Sequence, residues 1–179
     1  NDTFSKDVER IYATKELSSL VDLVNQFDKD HEGVSYDRIS VAVPGPVMNG
    51  KCVTPNLPWI LDAKELSAAL KVEKVLLVND LEATAYGYAN FNKDSLEILH
   101  TSEEKIRGNV AILAPGRGLG EAGLFFDGEY LRPFATEGGH TEFSPRNDYE
   151  VQFYQFLNKI YGIVTWEHVL SKEGLYNIY

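Results

Sequence analysis

Apolar residues recur at Leu17, Leu20, Val21, Leu23, Val24 and Phe27, three and four apart, with Ser18 and Ser19 beside them as caps. Such spacing lines one side of a helix, so an amphipathic helix is predicted over 17–27. The pattern changes after the turn-rich stretch 28–33. Arg38 to Pro44 alternates apolar with small residues and runs into Pro44-Gly45-Pro46, which predicts a strand ending in a sharp turn. Asn49-Gly50 suits the positive φ angles of a primed turn and predicts a short hairpin over 47–54, followed by a loop at 55–59. Asp62 to Leu70 reads as a helix capped by Asp62, and Lys74 to Val78 is a continuous apolar run of the buried parallel-strand kind. Strand, helix and strand together make a β-α-β unit. Asn79-Asp80 follows at its end, and then a helical pattern over 81–88.

The second half reads differently. Asn109 to Ala114 is a strand, Gly116 to Gly120 a glycine-rich turn, and 122–127 and 130–134 are antiparallel strands joined at Asp127-Gly128. Asp148 to Tyr161 is a helix, Thr165 opens another, and a further helix begins near Ser171. The polar segments 90–94 and 101–108 mark a domain crossing, giving lobes at 1–90 and 91–179. The chain starts at Asn1 rather than Met and reaches Tyr179 inside a helical pattern without a C-cap, so a part of a longer protein is expected.

Composition narrows the functions. A net charge of -10, with seventeen basic residues scattered along the chain, argues against a nucleic-acid surface or an anionic membrane as partner. No run approaches the roughly twenty apolar residues of a membrane span, and the first residues lack the basic and apolar segments of a signal peptide. The single Cys52 excludes an internal disulfide, fits a reducing compartment such as the cytoplasm, and suits a small apolar filler. With four His, one Cys and no pair at helical ligand spacing, no protein-bound metal site is expected.

Chemistry concentrates in four places. Glu137-Gly138-Gly139-His140-Thr141-Glu142-Phe143 holds a carboxylate and an imidazole around two glycines, a composition suited to a polyhydroxylated ligand, while a plain surface turn is the structural alternative. Asp80, with Asn79, stands at the carboxyl end of a buried strand, where open α/β sheets place ligands; it is a candidate general base or a helix cap. Gly116-Arg117-Gly118-Leu119-Gly120 could bring amides close to phosphate oxygens or could be a simple hairpin bend, and it matches neither common nucleotide-loop spacing. Glu167 falls in the first turn expected after Thr165, where helix-dipole complementation is the alternative to ligand binding; His168 beside it reads as a solvent-facing or satisfied histidine rather than a ligand.

In order and content these segments resemble the bacterial ATP-dependent glucokinases of the hexokinase and actin-like superfamily. The matching pieces are 43–47, Asn56-Leu57-Pro58-Trp59, Val78-Asn79-Asp80-Leu81-Glu82-Ala83, the 116–120 loop, the 137–143 run and 167–175. The resemblance implies an α/β, ribonuclease H-like fold with mixed sheets flanked by helices, as two lobes around a cleft, both incomplete in this chain. It implies phosphoryl transfer from ATP to the 6-hydroxyl of glucose, the first step of glycolysis, with Asp80 as base. Asn79, Glu137, His140 and Glu167 would hold the other sugar hydroxyls. Gly116, Arg117, Gly118 and Gly120 would belong to a phosphate-binding loop, with Mg2+ carried by the nucleotide. A homodimer is implied as well.

Two departures accompany the resemblance. The family usually carries Thr where this loop has Arg117, which would either clamp a phosphate oxygen or fill the nucleotide's place. The family's Asp-Ile-Gly-Gly-Thr-Asn type segment and its C-terminal helices do not occur in the chain. The alternatives to glucokinase are therefore a non-catalytic sugar-binding or regulatory relative and a kinase for another hexose. A zinc-bearing repressor-type relative is disfavoured by the lone cysteine.

Overall fold

A computed structural model of the chain describes residues 8–31, 33–54, 58–88, 91, 94, 96–104 and 106–179. It divides into two compact units, Asn1–Asp80 and Leu81–Tyr179. The division lies earlier in the chain than the 90/91 boundary expected from sequence. Asn90, Asn92 and Lys93 of the polar segment placed there lie outside the described residues, as do Pro55, Asn56 and Leu57 of the expected loop.

In the first unit, helix α1 (Leu20–Asp30) starts where Ser19 accepts the Asp22 N–H, three residues later than the apolar pattern alone suggests. Strands β1 (Arg38–Val43) and β4 (Lys74–Asn79) pair in parallel, Arg38 opposite Lys74 through Val43 opposite Asn79. Between them stand β2 (Lys51–Val53), β3 (Ile60–Asp62) and helix α2 (Ala63–Leu70). Asn49 (φ 53°) and Gly50 (φ 74°) make the primed turn that their dipeptide predicts. The strand leaving it pairs with β3, which lies between the expected 55–59 loop and the Asp62 cap and is not expected from sequence, Cys52 opposite Leu61. Asp62 then ends β3 and caps α2, accepting the Lys64 and Glu65 N–H groups and an ion pair from Lys51.

Leu20, Val43, Cys52, Trp59, Leu61, Leu66, Val75 and Leu77 form one core. Burial raises the pKa of the Cys52 thiol, as for a sulfur packed among apolar neighbours. Strand β4 is not buried throughout: Leu76, opposite Ser40, is 51% exposed, while Val75, Leu77 and Val78 are buried.

In the second unit, helix α3 (Asp80–Gly87), whose first residue closes unit one, leads to an antiparallel sheet of β5 (Val110–Pro115), β6 (Leu119–Phe126) and β7 (Leu131–Thr136). Ala85 and Leu81 of α3 pack on Ala122 and Leu124 of β6. Helices α4 (Asp148–Tyr161) and α5 (Lys172–Ile178) follow. Ser171, extended at φ -121°, breaks the helix expected from Thr165, so that only a 3-10 turn, Trp166–His168, precedes the cap of α5. Leu157 of α4 is fully buried with Phe143, Val164 and Val169. This cluster fixes both ends of the 143–169 segment. Leu157→Ala should cost about 2–5 kcal/mol, the range for a core leucine leaving an unfilled cavity, and urea unfolding of the full-length protein would measure it.

The β6–β7 turn carries a pH-dependent contribution. Asp127 accepts the N–H groups of Tyr130 (2.7 Å) and Glu129 (3.0 Å) and pairs with Arg132 (2.7 Å). These interactions, the Tyr130 amide foremost, hold its carboxyl down at about 2. Because the folded value lies below the unfolded one, the stabilisation is complete above about pH 4 and is lost as pH falls through about 2. Asp127→Asn should therefore flatten the fall in denaturation midpoint across that acid window.

Candidate functional site

The residues singled out from sequence fall in both units, and the local geometry of each set follows from its own unit. In the first, Asn79 is the last residue of β4 and only 7% exposed. Its Nδ2 donates to the Gly45 carbonyl at 3.2 Å. Gly45 has φ 124°, a conformation that favours glycine, so the Pro44-Gly45-Pro46 turn presents that carbonyl to the amide. Asp80 comes next, exposed, as the first residue of α3. A strand thus delivers a fixed amide and a solvent-facing carboxylate at adjacent positions.

In the second unit three segments converge on the first residues of β6. The glycine loop is shorter than sequence suggests: Pro115 already pairs with Leu119, leaving 116–118 as the connection, and Gly120 lies within β6 opposite Ala114. Within it the Gly116 N–H donates to Gly118 O at 2.8 Å, and Gly116 O accepts the Lys172 N–H at 2.8 Å. Arg117 stands exposed at the tip.

The 137–143 run is the second segment. Gly138–His140 form a 3-10 turn between β7 and the buried Phe143. Neither of its two glycines has a positive φ, so backbone conformation does not require them. Their reason is close approach. A Cβ on Gly138 would meet the Glu121 carboxylate at 1.9 Å, and one on Gly139 would meet the Leu119 main-chain oxygen at 2.0 Å. Thr136 adds a link, donating to Glu121 O and accepting the Gly138 N–H. On this turn Glu137 and His140 are both exposed, with Oε2 and Nε2 3.8 Å apart, beyond hydrogen-bond distance.

The third segment carries Glu167. Trp166 N–H donates to Thr141 O, Phe143 N–H to Val164 O, and Glu142 bridges Thr165, so 164–168 runs beside the 137–143 turn. Thr165 and His168 cap this 3-10 turn mutually, the His168 Nδ1 accepting the Thr165 N–H at 3.0 Å while its ring stacks on Tyr161. His168 is thus occupied structurally, as expected. Glu167 stands in the first turn of that 3-10 helix, and its Oε2 accepts the Leu119 N–H at 2.9 Å, across 48 positions of chain. Leu119 and Glu121 were absent from the sequence-based set. Leu119 acts through its main chain, which leaves no mark in residue type.

Glu137, His140 and Glu167 are therefore gathered with the glycine loop in one unit, whereas Asn79 and Asp80 are fixed in the other. Among the described residues no group of three His, Cys, Asp or Glu side chains is placed to share a metal ion, and no helix is long and apolar enough to cross a membrane.

The mixed α/β fold is shared, in part, with solved glucokinases. The glucokinase of an Antarctic psychrotroph superposes with a TM-score of 0.79 at 23% identity, over 93% of this chain and 52% of that one. The Balamuthia mandrillaris glucokinase, solved in complex with glucose, gives 0.70 at 24% identity, over 88% and 50%. The glucokinase family model matches residues 1–179, and the chain belongs to the glucokinase family. Glucokinases of Nostoc sp. and Synechocystis sp. are 33% and 34% identical over 174 and 179 residues, in each case 96% of this chain. The chain spans about half the length of these curated relatives (51% and 50%).

Gly139→Ala tests the packing of the turn. The obstacle is main chain rather than a movable side chain, so the backbone itself must shift. A loss of about 1–3 kcal/mol is expected from such overpacking, read as a lowered urea midpoint in the full-length protein.

Proposed function

We propose that the full-length protein is a glucokinase, transferring the γ-phosphate of ATP to the 6-hydroxyl of glucose. The observation that carries this reading is the convergence of Glu137, His140 and Glu167 on the start of β6, directly after the glycine loop. Carboxylates accept from sugar hydroxyls and an imidazole both donates and accepts, so three such groups on one unit suit a polyol. Asn79 would add a further contact. Its amide is already oriented by Gly45.

In the reaction, Asp80 accepts the proton of the 6-hydroxyl as that oxygen attacks the γ-phosphorus. The bond from γ-phosphorus to the bridging oxygen breaks, and ADP leaves. Mg2+ carried by the nucleotide would supply charge neutralisation on the phosphates. Most of the acceleration then comes from positioning, with the base adding about a hundred- to ten-thousand-fold.

Gly116 supports the phosphate role of its loop. It has neither a positive φ nor any atom within 4 Å of an added Cβ, so the fold itself does not require glycine there. An approaching phosphate would. Arg117 at the tip brings a cation to the same place. The buried free thiol of Cys52 accords with a cytoplasmic enzyme, and the family resemblance with a homodimer.

Asp80→Asn in the full-length protein should lower turnover by about a hundred- to ten-thousand-fold while glucose affinity stays within a few-fold, since the amide still hydrogen-bonds but takes no proton. A coupled assay for glucose 6-phosphate measures the first and calorimetry the second. Unchanged turnover would remove Asp80 from the chemistry. Glucose binding without product in the unaltered protein would mark a non-catalytic sugar-binding relative, and stronger competition by mannose, N-acetylglucosamine or fructose a kinase for another hexose.

A further inference from the structure

Gly118 lies in the loop expected to meet phosphate, yet its surroundings tie it to the sugar side. An added Cβ would stand 2.2 Å from Glu167 Oε2 and 3.0 Å from Glu167 Cδ. Its φ is not positive, so backbone conformation gives no reason for glycine. The missing side chain leaves room that the Glu167 carboxylate fills. The next amide, Leu119 N–H, donates to that same oxygen at 2.9 Å. One residue thus supplies the space and its neighbour the hydrogen bond.

We propose that Gly118 and the Leu119 amide form a seat that positions the Glu167 carboxylate for the sugar, making Gly118 a positioning residue of the hexose site. The inference rests on the reading that Glu167 holds a sugar hydroxyl. With Oε2 held by the main chain, Oε1 keeps its capacity to accept from a ligand. A glutamate without the seat is a side chain with several rotatable bonds, which the ligand must then immobilise at its own cost.

The geometry also makes the seat testable without unfolding the protein. What an alanine at 118 meets is the far end of a flexible side chain, so Glu167 swings away and the main chain stays. Gly139 is the contrast, facing a main-chain oxygen. The loop keeps its own supports, the Lys172 bond to Gly116 O and the pairing of Pro115 with Leu119.

The experiment is a calorimetric titration of the full-length protein with glucose, without nucleotide, on the unaltered chain, Gly118→Ala, Glu167→Ala and the double variant. Gly118→Ala is expected to weaken glucose binding about tenfold or more, close to the effect of Glu167→Ala, and the double variant to be no weaker than the Glu167 single. Thermal midpoints should stay close to that of the unaltered protein. Glu167→Asp, one methylene too short to reach the Leu119 amide, should lose a similar factor although it keeps a carboxylate, and it serves if Gly118→Ala folds poorly. Glucose affinity retained in either Gly118→Ala or Glu167→Asp overturns the proposal, as do losses that add in the double variant. The underlying reading fails separately: no glucose binding by the unaltered protein, or an unaffected Glu167→Ala, would remove Glu167 from sugar binding and the seat's purpose with it.

Discussion

The main chain of Leu119 makes the contacts on which the rest of the second unit's site depends. Its N–H holds Glu167 and its carbonyl oxygen lies so close to Gly139 that no side chain fits there. Two residues on, Glu121 presses its carboxylate against Gly138 and gives its main-chain oxygen to Thr136. Two positions of one strand, 119 and 121, thereby locate the Glu137–His140 turn and the Glu167 turn. Strand β6 can do this because it is the central strand, paired on both sides by β5 and β7 and buried against α3 through Ala122 and Leu124. Polar groups that meet a ligand need such rigid support, since small errors in position weaken both binding and catalysis.

The apolar cluster beneath completes the support. Phe143 follows the polar turn directly, is 5% exposed, and meets the Trp166 ring edge-on with centroids 4.9 Å apart. The buried Phe143 ring just past Glu137 and His140, against the half-buried Trp166 ring just before Glu167, pins both polar segments at their roots. The exposed carboxylate and imidazole are thus carried by well-packed neighbours rather than by a free loop.

Much of this was legible in the sequence where one residue's chemistry decides the outcome. The Asp62 cap, the Asn49-Gly50 turn, the Asp127-Gly128 turn and the alternation of β1 each follow from local rules. Strand β3 was not legible, because three residues carry no period and their strand character comes from pairing with β2. The glycines at 118, 138 and 139 were recognised as important but for a different reason. Sequence marks a glycine without telling a demand for positive φ from a demand for room, and here each makes room for an atom distant in sequence. Glu167 shows the same limit: nothing near it in the chain announces a bond to residue 119.

The proposed function makes one physical claim central, that in the full-length protein a hexose would rest on the segments gathered by β6. Amide hydrogen exchange on the full-length protein, with and without saturating glucose, tests it most directly. Slowed exchange appearing together in peptides covering 116–121, 137–143 and 165–170 is the result the account predicts. Unchanged exchange in those peptides, while calorimetry shows the sugar bound, would contradict it.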